Sequence, residues 1–336
     1  MTQQEAARGY PLAGLTVIDL GQIYNGPYCT FLMAMAGAKI IKIEARGGEN
    51  LRRRGVVGGA ALPFAMLNSN KNFATLNLKT ERGRELLRAM VRKGDVLVEN
   101  FAPGAMERLG VGYETLREIN PRLIYGSGSG YGLSGPNRNY PAMDLTVQAM
   151  AGIMNVTGFA DRPPVKAGPA LCDFFGGVHL YGAIMTALYE REKTGIGRLV
   201  EVSMQEAVYA SLSSNLGLHY SMGNAVPPRT GNRHGGLAEA PYNVYPTRDG
   251  HIAIICVNET HWKSLLKAMQ REDLLVDPRF ADLRVCLPNS PLRFEGVEPL
   301  PIRPSAELGR DNRSIYGDWL GLSDGDIEQL IEQEVI

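Results

Sequence analysis

One stretch carries residues that could do covalent chemistry: Lys166 to Lys193, KAGPALCDFFGGVHLYGAIMTALYEREK. Within it Asp173 follows Pro169, Ala170 and Leu171 and precedes Gly176 and Gly177. Beyond it Val178, Leu180, Tyr181, Ile184, Met185, Leu188 and Tyr189 recur at helical spacing, which predicts a helix with one buried face. Charged residues from Glu190 to Lys193 close that helix and Gly195 stops it. Asp173 therefore stands where a loop enters a helix. Two readings of it are open. As a cap, its carboxylate would accept the orphan amide protons of the first turn. As a nucleophile, an ionised carboxylate would attack an activated acyl carbon and form a covalent intermediate. The helix start favours negative charge, and the two glycines would let another backbone or a ligand come close. Cys172 is a rival nucleophile, but no histidine stands beside it in sequence to activate it.

The elements that must position Asp173 are legible upstream. Gly14–Leu20 reads as a first strand, Gln22–Pro27 as a loop, Tyr28–Gly37 as a helix and Ala38–Glu44 as a second strand. Strands follow at Phe73–Leu78, Asp95–Glu99, Arg122–Gly126 and Leu199–Ser203. Glu81–Lys93 and Met204–Met222 read as helices. Strands alternating with helices imply an α/β, Rossmann-like large domain with a largely parallel sheet and right-handed crossovers. Ligands of such sheets bind beyond the carboxyl ends of the strands. That selects the loops 22–27, 45–48, 100–104 and 127–136. Arg52, Arg53 and Arg54, in a basic glycine-rich stretch, could meet a phosphate or form a solvated face. Gly130–Gly135 is a literal GxGxxG after a strand, and on its own would suggest a nicotinamide-dependent oxidoreductase. Pro136 and Pro141 forbid the helix that such a fingerprint must open.

Lys+Arg and Asp+Glu are each 35 in a chain of 336 residues. The absence of a basic excess argues against a nucleic-acid or membrane-surface partner. No run suggests a membrane span, and the start of the chain lacks a secretory pattern. Cys29, Cys172, Cys256 and Cys286 are scattered, which fits a reducing cytoplasm better than a disulfide scaffold or a zinc site. There is no GxSxG, no Walker lysine and no HExxH, and no metal site is expected. Ala225–Gly236 reads as a linker. After it come a strand at His251–Val257, a helix at His261–Met269, a proline-rich stretch at Pro288–Pro304 and a capping pattern at Ser323 with Asp326.

The segments PLAGLTVIDLGQIYNGP, GAKIIKIE, NSNKNFATLNLKT, DVLVENFAPGAMERLG, NPRLIYGSGSGYG, GPALCDFFGGVH and LGLSDGDIEQL stand in the order found in a known family. The chain resembles the class III CoA-transferases, which include formyl-CoA transferase and carnitine CoA-transferase. The resemblance implies that Asp173 is the covalent nucleophile and carries an aspartyl-CoA thioester. It implies CoA contacts at Tyr24, Asn25, Leu76, Lys79, Asn100, Phe101 and Arg108, and a glycine loop at Gly235 and Gly236. Arg108 would hold a CoA phosphate, its bland alternative being an ion pair with Glu107 or Glu114. Oxyanion donors would come from near Gly176–Gly177 or from the glycine loop. The coenzyme A thioester would be a substrate, with no permanently bound cofactor, and the acceptor a small carboxylic acid, dicarboxylates included. Gln22, Tyr24 and Ala45 differ from formyl-CoA transferase, which argues against formyl-CoA. The racemases of the same fold place a histidine before the Asp of a GHD motif, and here Met143 precedes Asp144, which argues against racemisation. The resemblance also implies an interlocked homodimer. It divides the chain into a large CoA-binding domain, residues 1–222 completed by 288–336, and a linker with a small α+β domain at 223–287. Between DPRFADLRV and PNSPLRF the family carries some tens of further residues, so the small domain is expected to be incomplete and mobile.

Overall fold

The computed structural model describes residues 9–225, 227–276, 293–294, 310–333 and 335. Contacts divide the chain into two units, Met1–Glu298 and Pro299–Ile336. In the first unit six strands form a parallel sheet: β1 (Thr16–Asp19), β2 (Lys39–Glu44), β3 (Asn72–Thr75), β4 (Val96–Glu99), β5 (Ile124–Ser129) and β6 (Leu199–Ser203). Their spatial order is β6-β5-β4-β1-β2-β3. The short strand Arg293–Phe294 adds to β6 in antiparallel register. The chain thus builds outward from β1 to β3, returns, and builds the other way from β4. The loops leaving β1 and β4 meet where the order reverses, which is where such sheets bind ligands.

Alternation in the strands sorts two cores. Val17, Ile40, Val96, Val98 and Ile124 face the helices α1 (Asn25–Met35) and α5 (Leu171–Thr194). Ile18, Leu97 and Tyr125 face α2 (Glu81–Val91) and α3 (Tyr113–Ile119). The long helix α5 ends as its sequence predicts, on Gly195 in the left-handed region at φ 76°. By length and apolarity it could cross a membrane, contrary to the sequence expectation. Its inner face is that of a core helix: Leu180, Ala183, Ile184, Ala187 and Leu188 pack on the sheet, and buried Arg191 pairs with Asp95 at 3.2 Å.

A buried ionic cluster fixes the loop after β1. Asp19 is fully buried; its Oδ1 accepts Gly21 N–H at 2.8 Å, and its Oδ2 accepts Thr30 Oγ1–H at 2.7 Å and Lys71 Nζ at 3.0 Å. Lys71 also donates to Pro27 O and to Asn68 Oδ1, each at 2.9 Å. Lys42 donates to Gly21 O and pairs with Glu49 at 3.0 Å. Burial alone would raise the Asp19 carboxyl, but the two lysines hold it below its ordinary range.

Several expectations need adjusting. The first helix starts at Asn25, three residues early, and β3 stops at Thr75. The helix read over Met204–Met222 breaks at Ala210–Leu212 into α6 (Met204–Tyr209) and α7 (Ser213–Met222). Beyond the linker, β8 (His251–Ile255) pairs antiparallel with β7 (Tyr242–Pro246), a strand its sequence did not announce. The helix α8 (Glu259–Met269) follows, capped by Asn258. Val244, Ile252 and Ile255 on the hairpin are exposed. Residues 277–292, which hold the junction of DPRFADLRV and PNSPLRF, lie outside the described residues. In the second unit, Ser323 and Asp326 form the expected capping box at the start of α9 (Asp324–Glu332).

Removing one partner of a buried charge pair strands the other. Lys71→Met should therefore cost about 3–5 kcal/mol of stability. Urea unfolding measures it, and a loss under about 1 kcal/mol would contradict a fully desolvated pair.

Candidate active site

The start of α5 is not built as the cap reading of Asp173 requires. The N-cap is Ala170, which has no side-chain oxygen, and Asp173 is the third helical residue. Capping comes from another helix. Asp144, at the start of α4 (Asp144–Met150), accepts Cys172 N–H on Oδ1 at 2.8 Å and Gln148 Nε2–H on Oδ2 at 2.7 Å. Buried Gln148 in turn accepts Ala167 N–H at 2.8 Å. The loop entering α5 is thus bolted to α4, and the cap reading of Asp173 fails because Asp144 takes that role. Sequence marks Asp144 only through the methionine before it; the four-residue spacing of Asp144 and Gln148 is the signal for this pair.

Freed from capping, the half-buried Asp173 carboxylate has no hydrogen-bond or ion-pair partner among the described residues. Burial, with the nearby Asp144 charge added, pushes its carboxyl from the ordinary 3.8 up to about 7. The neighbouring Cys172 is fully buried, and burial with the two carboxylates pushes its thiol up to about 12. It is a neutral core thiol at physiological pH, so the rival nucleophile drops out.

The first loop is clamped to this helix start. The Tyr24 ring stacks on Phe174 with centroids 5.8 Å apart, and Tyr28 meets Phe174 edge-on at 4.9 Å. Asn25 is buried between β5 and α5. A Cβ on Gly128 would sit 2.3 Å from Asn25 Oδ1, and one on Gly176 would sit 2.2 Å from Asn25 Nδ2. A Cβ on Gly177 would lie 2.6 Å from Asn25 O. These glycines therefore admit the backbone and amide of α1 rather than a ligand. They also lie inside α5, past the four free amides of its first turn, so they supply no oxyanion donors. Asn25, expected to touch CoA, is wedged into the fold.

The remaining expected site residues separate into two sets. Asn100 joins the loops at the switch point: its Oδ1 accepts Gln22 N–H at 2.7 Å and its Nδ2 donates to Gln22 O at 2.9 Å. Phe101 and Leu76 pack on the core under α2 and α3. Lys79 and Arg108 are exposed. Among the described residues Arg108 reaches Pro103 O alone, at 3.5 Å, and pairs with neither Glu107 nor Glu114; Glu114 lies 3.7 Å from Arg117 instead. Arg52 is consumed structurally, forked onto Glu44 and lying 4.0 Å over Phe64, and Arg53 donates to Gly47 O. Gly235 and Gly236 lie against Asn215 and Ser214 of α7. The Gly130–Gly135 stretch opens no helix: Gly132 N–H donates to Ser129 and Leu133 N–H to Glu201.

The site therefore joins a doubly wound parallel sheet to a half-buried carboxylate at a helix start that, among the described residues, has no partner. The family is settled by comparison. The model of CoA-transferase family III matches residues 12–292, and the chain belongs to that family. It is 46% identical over 275 residues to the acetyl-CoA:oxalate CoA-transferase of Acetobacter aceti, covering 81% of this chain and 70% of that one. It is 38% identical over 300 residues to the succinyl-CoA:mesaconate CoA-transferase of Haloarcula marismortui, covering 85% and 74%. Among solved structures, a CaiB/BaiF family protein from Brucella suis superposes with a TM-score of 0.70 at 35% identity, covering 82% of this chain and 73% of that one. The chain is an enzyme of the CoA-transferase class, with CoA thioesters as substrates.

A raised carboxyl has a stability signature. Between about pH 4 and pH 7 the folded chain keeps a proton on Asp173 that the unfolded chain has lost, so stability falls as pH rises through that window. Asp173→Asn removes the effect. It should raise the melting temperature, and by more at pH 8 than at pH 5; an equal or absent gain at the two pH values would contradict the burial of this carboxylate.

Proposed function

We propose that this protein moves CoA from an acyl-CoA to a small carboxylic acid through an aspartyl-CoA thioester on Asp173. The observation that carries this reading is the Asp173 carboxylate itself, half-buried and without a partner among the described residues. Withdrawn from water, it is a stronger nucleophile than a solvated carboxylate. An Asp173 oxygen attacks the thioester carbon, the C–S bond breaks, and an acyl-aspartyl anhydride and CoA thiolate result. The thiolate attacks the aspartyl carbonyl, which releases the donor acid and leaves the aspartyl-CoA thioester. The acceptor carboxylate attacks that thioester, and the returning thiolate takes the acceptor's acyl group, restoring Asp173. One thioester replaces another, so no outside energy source is needed.

The loops at 22–27 and 100–104 hold the CoA in this reading, with exposed Arg108 and Lys79 available to its phosphates. The relatives named for oxalate and mesaconate act on dicarboxylates, which supports a dicarboxylate acceptor. The protein works as a homodimer of the interlocked kind. Phe175, Val178 and Tyr189 form an exposed apolar stripe along α5, 36%, 42% and 66% accessible, which a second copy would cover. The described cysteines are all free, in keeping with a reducing cytoplasm. β7, β8 and α8, with Val244, Ile252 and Ile255 exposed on the hairpin, belong in this reading to a small domain that closes the site incompletely, and a low transferase rate is expected. Racemisation is disfavoured because Asp144 is occupied with Cys172 and Gln148.

Three experiments test the reading. Incubation with acetyl-CoA, then hydroxylamine and peptide mass mapping, should place a hydroxamate on Asp173, and Asp173→Ala should abolish transfer. Retained transfer in that variant would end the proposal. The single-turnover acylation rate should rise with pH about a midpoint near 7, as Asp173 ionises. Light scattering should give a dimer mass; a monomer at micromolar concentration would reject the proposed assembly.

A further inference from the structure

Glu99 is a buried carboxyl that the chemistry of Asp173 does not use. It ends β4 on the face of the sheet opposite α1 and α5: Val96 and Val98 join the core beneath those helices, and Leu97 joins the other core. Its residue is 6% exposed. Two donors converge on it: Ser127 Oγ–H donates to Oε1 at 2.6 Å and Phe101 N–H donates to Oε2 at 2.8 Å, and the Tyr125 hydroxyl lies close enough to favour the charged form. Beside it lies a cavity of ≈ 30 Å³, bordered by Phe101, Pro103, Gly104, Glu107 and Tyr113. That space suits water, not a substrate.

We propose that Glu99 is the positioning residue of the CoA loops, its ionised carboxylate setting the course of residues 100–104 and, through the Asn100–Gln22 pair, of residues 21–27. This rests on the reading above that those loops hold CoA. By accepting Phe101 N–H, two residues ahead in sequence, Glu99 turns the chain at the end of the strand. That turn delivers the Asn100 amide to both backbone polar groups of Gln22. Both hydrogen-bond partners of Glu99 are donors, and the Tyr125 hydroxyl beside it also favours the charged form, an arrangement that suits an anion. A proton on the carboxyl forces Ser127 to turn and accept, and leaves Phe101 N–H with a weaker acceptor.

The surroundings make that proton accessible near neutrality. Burial, opposed by the donors from Ser127 and Phe101 and helped by the Glu107 charge, puts the carboxyl at about 7. The titratable groups that face it are Tyr125 from β5, Glu107 from the turn at Ala105–Arg108 and Tyr113 from α3; no Lys, Arg or His lines the cavity. The geometry that receives CoA is therefore held firmly above pH 7 and loosens below it.

The test titrates free CoA calorimetrically into the full chain carrying Asp173→Ala, so that Asp173 itself does not titrate, at pH 6 and pH 8. Adding Glu99→Gln keeps an acceptor for Phe101 but removes the charge. It should weaken CoA about five-fold at pH 8, the difference between a charge-assisted and a neutral hydrogen bond, and change nothing at pH 6. Titration of the CoA phosphate is common to both proteins and cancels in their ratio. Tyr125→Phe, a gentler change that removes the neighbouring hydroxyl favouring the anion, should move the midpoint of the parent's pH dependence upward. The same loss at both pH values, or no loss, would overturn the proposal, as would an unmoved midpoint with Tyr125→Phe. Amide hydrogen exchange separates the two levels. CoA that fails to protect residues 21–27 and 100–104 removes the binding reading and the proposal together. Protection with a pH-independent Glu99→Gln ratio removes the proposal alone.

Discussion

The hydrogen bond from Cys172 N–H to the Asp144 carboxylate is the interaction on which the site depends. A helix must satisfy the amides of its first turn, and an aspartate in that turn ordinarily does so itself. In α5 the need is met from α4, so Asp173 spends neither oxygen on its own helix. The same carboxylate that frees Asp173 also charges its surroundings and, with burial, raises its proton affinity. One residue thereby frees its neighbour and adds to the basicity that burial gives it.

The second constraint is topological. Because the strand order reverses between β1 and β4, two loops far apart in sequence leave the sheet side by side. Each is held from below by buried charge. Asp19, Lys71 and Lys42 grip residues 21–27, and Glu99 grips residues 100–104 from the other face. The Asn100–Gln22 amide pair then joins them into one surface. Such buried networks stabilise the chain little for the atoms they use, but they fix backbone direction where a floppy loop would leave a substrate unplaced.

Much of this is legible in the residues. The alternation of apolar strands with periodic helices announced the parallel sheet, and the helix after Asp173 could be bounded at both ends, down to the glycine that stops it. The prolines after Gly135 were enough to dismiss a dinucleotide fingerprint. What stayed hidden was long-range. Asp144 lies 28 positions before Cys172, and no local pattern tells an aspartate that caps its own helix from one that caps another. Gly176 and Gly177 advertise space, yet only packing shows that Asn25 fills it. Arg52 looked free because Glu44, Phe64 and Phe73, which occupy it, sit on other elements. The strand Tyr242–Pro246 was missed because its mixed polar and aromatic residues lack an apolar alternation.

The slot around Asn25 has an evolutionary consequence. Its amide occupies the volumes that side chains at positions 128 and 176 would need, so the three sites cannot vary independently. A side chain added at 128 or 176 while Asn25 is in place meets its amide at 2.3 or 2.2 Å. After Asn25 has shrunk to alanine, position 128 can receive a methyl group, with Leu180 next at 3.5 Å, whereas at 176 Met204 Cγ at 2.9 Å must also give way. Drift through this part of the molecule thus has a preferred direction, with the asparagine leaving before either glycine can follow.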